Sequence, residues 1–167
     1  MMEKEGPRKF KDVLLHEVLG QPAEQISQHQ NILDKILRNK ISKPVISLSY
    51  CSSSIIAGAE DTHEAIKNYL EERDIDAGLI QVGSLGLTTE EPLMDVQLPG
   101  KAKISFSRVT ADKVSSILDA IFNSYLPEEH ILGQHRNNLH EPWENVPDIM
   151  DHPFFKGQKR FILSNCG

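Results

Sequence analysis

Apolar positions along the chain switch repeatedly between a helical and a strand-like period. Phe10, Val13, Leu14 and Val18 share one face of a predicted first helix, and Ile26, Leu33, Ile36 and Leu37 one face of a second, with Gly20 and Pro22 between them. Residues 1–42 are therefore read as an N-terminal helical extension. After Pro44 the run Val45 to Tyr50 is β-branched and apolar, which predicts a buried strand, and Cys51 to Ser54 is read as a loop. Asp61 and Glu64 have capping-box spacing ahead of a stripe at Ala65, Ile66, Tyr69 and Leu70, so a helix is expected to run to about Arg73.

A second strand is expected from about Ala77 to Val82. Beyond the loop Gly83 to Glu91, the runs Leu93 to Leu98 and Ala102 to Phe106 flank Pro99-Gly100-Lys101, turn chemistry that predicts an antiparallel hairpin. Thr110 is a candidate cap for a further helix, whose Val114, Ile117, Leu118, Ile121, Phe122 and Tyr125 recur at helical spacing until Pro127 stops it. Strand, helix, strand, hairpin, helix is the order of a thioredoxin-like α/β domain: a mixed four-stranded sheet flanked by helices, its first two strands parallel through a right-handed crossover. That domain is assigned to residues 43–126. Residues 127–167 show no sustained period and are rich in Pro, Asn and His, so they are read as an extended C-terminal arm and junction segment.

Composition narrows the partners. With 39% hydrophobic and 25% charged residues, 167 positions suffice for one substantial core. A formal charge of -6, with 18 scattered Lys and Arg, argues against a nucleic-acid partner, which needs a concentrated basic face. No apolar run approaches the roughly 20 residues that cross a bilayer, and Met1 to Phe10 is too charged for a signal peptide. Cys51 and Cys166 stand far apart, unlike a disulfide framework or a structural zinc site. A cytoplasmic, reducing location without direct membrane insertion is expected, peripheral to a membrane complex at most.

Two stretches carry a resemblance. Residues 83–100 (GSLGLTTEEPLMDVQLPG) and 153–167 (PFFKGQKRFILSNCG) resemble the NADH-binding flavoprotein subunit of respiratory complex I and of NAD-linked hydrogenases, and Ile56 to Ala59 is similar to that family's first loop. In the longer members a thioredoxin-like [2Fe-2S] ferredoxin domain precedes the flavin domain, and the second stretch looks like the junction between them. The likeness runs loosely from about Val45 to Gly167. It implies an assembly that oxidises NADH at FMN and passes electrons to iron-sulfur clusters, so the implied partners are its other subunits or the flavin domain. This chain is expected to bind neither NADH nor FMN, because Gly83-Ser84-Leu85-Gly86 lacks a third glycine ahead of a helix.

The resemblance also says where a cluster would sit. A [2Fe-2S] centre needs four soft ligands, usually thiolates. The family's last two are cysteines separated by three residues; here those positions are Ser84 and Thr88, while the first loop offers Ser49, Ser53 and Ser54 with Cys51 displaced from the expected places. A hydroxyl holds its proton far more tightly than a thiol of pKa about 8.5, so four ligands cannot be assembled. The chain is thus expected to be a cluster-free scaffold or docking domain. Two alternatives stand beside it: a monothiol redox protein using Cys51, with Pro92 similar to the proline that faces the thiol in thioredoxins, and a [2Fe-2S] carrier of the same complex.

Other groups are assigned more ordinary roles. Phe154 and Phe155, with Lys156, Lys159 and Arg160, combine anchor area with charge and are the candidate partner contact, docking within the chain being the rival reading. His130, His135 and His140 recur every five residues, which denies them a common helical face, and are read as solvated loop histidines. Glu71-Glu72 and Glu90-Glu91 are read as solvated charge, and Cys166 is given no role.

Overall fold

The computed structural model describes Asp34 and residues 38–159. The two expected N-terminal helices, Arg160 and Cys166 lie outside the described residues. The chain divides into two compact units, Met1–Lys40 and Ile41–Gly167, and everything below concerns the second.

Its elements in chain order are β1 (Val45–Ser49), α1 (Ser52–Ile56), α2 (Ala59–Glu72), β2 (Gly78–Val82), β3 (Met94–Gln97), β4 (Lys103–Phe106), α3 (Ala111–Phe122), β5 (Ile131–His135) and α4 (Pro153–Lys156), with short 3-10 turns at Thr88–Glu90 and Ile149–Asp151. The sheet order is β2-β1-β3-β4-β5. β1 runs parallel to β2, and β1–β3, β3–β4 and β4–β5 are antiparallel. The fold is thioredoxin-like.

Period-two alternation sends Ile46, Leu48, Met94, Val96, Ile104 and Phe106 to one face of the sheet, where all are buried. Ile66, Tyr69 and Leu70 of α2 and Val114, Ile117, Leu118 and Ile121 of α3 complete that core. The two helical stripes read from the sequence are the faces that cover the sheet. α2 starts at Ala59, one turn before the expected capping box. Gly58 precedes it at φ 99, and Thr62 Oγ1 returns to Gly58 O at 3.0 Å and to Val109 O at 2.8 Å. Glu60 and Asp61 sit in the first turn, where a negative charge meets the positive end of the helix dipole. α3 ends at Phe122 rather than at Tyr125, which is 54% exposed.

The sheet has five strands, not four. Ile131–His135, expected within an extended arm, pairs with β4. Its sequence concealed this because Gly133 and Gln134 break the apolar alternation. Tertiary contacts supply what periodicity lacks. The Gln134 side chain, with no exposed surface, donates to Trp143 O at 2.9 Å and to Val146 O at 2.6 Å, and accepts from Trp143 N at 2.7 Å. Trp143 Nε1 in turn donates to Ala102 O at 2.8 Å. A small second cluster of Leu87, Ile149 and Phe155, flanked by Leu85, Leu132 and Phe154, joins α4 to the loop after β2.

Candidate functional site

At the end of the sheet where β1 and β2 finish and β3 begins, three loops converge on one carboxylate. Ser49 closes β1, Cys51 is the N-cap position of α1, Ser84 lies just past β2, and Glu91 precedes β3 across a cis bond to Pro92. Glu91 is only 6% exposed. Its Oε2 accepts from Ser49 Oγ, from Ser54 Oγ at 2.7 Å and from Leu93 N at 3.2 Å, while Oε1 accepts from Ser84 Oγ at 2.8 Å. Burying a carboxylate costs several kcal/mol unless donors replace its water, and four donors do so here.

The reading of Glu90-Glu91 as solvated charge is therefore corrected for Glu91. The pair divides: Glu90 reaches outward to Arg108 Nη2 at 2.8 Å, and Glu91 turns inward. Nothing in the local sequence separates two adjacent glutamates; the turn into β3 does. Its position directly before Pro92 was the one available signal. Glu71 and Glu72 are exposed, as expected.

Of the residues proposed from the resemblance, Ser49, Ser54 and Ser84 meet at Glu91, and Ser53 and Ser54 flank the Cys51 sulfur at 3.1 and 3.0 Å. Thr88 is exposed in its 3-10 turn. Hydrogen bonding, from Ser53 first, brings the Cys51 thiol down from 9.0 to about 7, against partial burial and the Glu91 charge. Cys51 is half-buried and is the one cysteine among the described residues.

A [2Fe-2S] cluster does not fit this donor set. Such a cluster is usually held by four thiolates, whereas this group offers the single sulfur of Cys51 among the described residues, and the hydroxyls of Ser49, Ser54 and Ser84 each commit a proton to Glu91. Gly83 and Gly86 lead into the 3-10 turn Thr88–Glu90 rather than into a helix, so no helix N-terminus is offered to a dinucleotide phosphate there.

No family model and no curated protein matches the chain. Among solved structures it is similar to a thioredoxin-like [2Fe-2S] ferredoxin from Aquifex aeolicus, with 9% identity and a TM-score of 0.48 over 58% of this chain and 96% of that one. A 1.5 Å crystal structure of the wild-type ferredoxin gives 10% identity and a TM-score of 0.46, covering 55% of this chain and 98% of that one.

The other sequence candidates are dispersed. Phe155 is buried in the small second cluster, Phe154 packs against it half-buried at 5.0 Å between ring centroids, and Lys156 and Lys159 are exposed. His130 precedes β5, and His140 sits with Asn137, its Nδ1 3.0 Å from Asn137 Oδ1. The reading of His135 as a solvated loop residue is corrected: it belongs to β5, half-buried, with Nε2 3.0 Å from Ser105 Oγ.

Proposed function

We propose that this chain is a thioredoxin-like domain of an NADH-oxidising electron-transfer assembly that serves as scaffold and docking unit and holds no iron-sulfur cluster of its own. The observation that carries the cluster-free part is the commitment of Ser49, Ser54 and Ser84 to the Glu91 carboxylate. Three positions that would have to supply anionic sulfur instead form a hydrogen-bonded lock between the ends of β1, α1 and the loop after β2. The NADH-linked part rests on residues 83–100 and 153–167, whose resemblance supplies FMN, NADH and clusters to the assembly and none to this chain. Its partners are the assembly's other subunits or a flavin domain, met through Phe154, Lys156, Lys159 and Arg160. Its place is cytoplasmic, peripheral to a membrane complex at most; no described helix is long and apolar enough to cross a membrane.

Iron and acid-labile sulfide analysis of chain purified anaerobically, with a visible spectrum, tests this. The expected sample is colourless, with substoichiometric iron even after reconstitution with ferrous iron and sulfide. A full [2Fe-2S] complement would overturn it and favour the carrier reading. The second reading, a monothiol redox protein, is favoured by the lowered Cys51 thiol. It requires the free protein to form a mixed disulfide with a small thiol at Cys51 and to be turned over by a reductant.

A further inference from the structure

Each serine around Glu91 carries one hydroxyl proton, and the distances say where it goes. Ser49 and Ser54 donate to Oε2 and Ser84 to Oε1. Having given that proton, each oxygen can only accept: Ser49 from Leu93 N at 2.8 Å, and Ser84 from Gly86 N at 2.9 Å. Ser54 has Cys51 Sγ at 3.0 Å, which by the same accounting stands as an S–H donor. We propose that Glu91 is a positioning residue which, through Ser54, holds Cys51 as a hydrogen-bond-donating thiol and so restrains its reactivity.

Ionising Cys51 sets a thiolate against the lone pairs of Ser54. The repulsion is relieved only if Ser54 turns its proton from Glu91 to sulfur, which leaves a buried carboxylate one donor short. Cys51 and Glu91 therefore compete for one proton. Ser53, at 3.1 Å, is the hydroxyl left to stabilise a thiolate. The charged groups nearby add little else. α1 contributes no ionisable side chain, Glu90 is paired with Arg108, and His63 of α2 packs edge-on to Tyr50 at 5.9 Å. Among the described residues Glu91 is the one charge that bears on the sulfur, and it opposes ionisation. This coupling goes beyond the scaffold role and does not depend on it.

The test is the pH profile of iodoacetamide labelling of the full chain, read by peptide mass spectrometry so that Cys51 is separated from Cys166. In Glu91→Gln the negative charge is gone and the amide can donate to Ser54, freeing the hydroxyl proton for sulfur. The midpoint for Cys51 is expected to fall by about one pH unit, giving about tenfold faster labelling below both midpoints. Ser49→Ala removes a donor from the same carboxylate without touching sulfur and should leave the midpoint in place. Ser54→Ala deprives the S–H of its acceptor, so the midpoint should fall there too, and adding Glu91→Gln should then shift it by less than half as much. A Glu91→Gln profile superimposable on the native one overturns the proposal. If that variant does not fold, judged by circular dichroism, Ser54→Ala decides alone: a lower midpoint supports the coupling, and an unchanged or higher one refutes it.

Discussion

Ser105 stands between two ionisable side chains on the sheet face away from the helices. Its hydroxyl donates to Asp95 Oδ1 at 2.6 Å, so its oxygen accepts from His135 Nε2 at 3.0 Å, which fixes the Nε2–H tautomer. Burial first, and then the Lys103 charge, push the His135 pKa from 6.5 down to about 4, against Asp95 and Asp148. The folded chain thus binds fewer protons at His135 than the unfolded chain does between those values. Stability is fully present above about pH 6.5 and is lost as pH falls towards 4, by at most about 3 kcal/mol. Urea unfolding at several pH values should show this limb in the native chain and a flatter one in His135→Gln, whose amide can still donate to Ser105. Equal slopes would remove His135 as the cause.

At the scale of elements, β5 depends on a close approach that only glycine permits. A Cβ on Gly133 would lie 2.9 Å from Ile149 Cα, 3.0 Å from Ile149 N and 3.2 Å from Pro147 O, all backbone atoms with little room to yield. Gly133→Ala is expected to cost about 1–3 kcal/mol, seen as a lower urea midpoint. Unchanged stability would mean that the Pro147–Ile149 segment is not seated on β5 as described. α2 and α3 were legible in the sequence because their apolar residues recur at helical spacing. β5 was not, because its stability comes from Gln134 hydrogen bonding and from contact with residues 143–149, neither of which leaves a period.

For the whole molecule, residues 131–155 are part of the fold. Trp143 and Val146 belong to the main core, and Lys101 and Glu141 form a bridge beside the 2.9 Å bond from Ala102 N to Glu141 O. A chain ended after Leu126 would bare the β4 edge and the part of that core that Trp143 and Val146 cover. It is expected to show no cooperative thermal transition by circular dichroism. A native-like transition in that fragment would restore the reading of residues 127–167 as a separable arm.

The sequence by itself determined the order strand, helix, strand, hairpin, helix, since each element carries its own period or turn chemistry and the crossover has one hand. It also determined that positions 49, 53, 54, 84 and 88 carry hydroxyls and not thiols, a matter of residue identity alone. Only the tertiary structure decided what those serines do. That Ser49, Ser54 and Ser84 meet on Glu91, and that Glu91 rather than Glu90 is buried, depends on residues up to 42 positions apart being brought together by β1–β3 pairing. Hydrogen-bond partners of that range leave no mark on local spacing, and the direction of each proton exists only once the distances do.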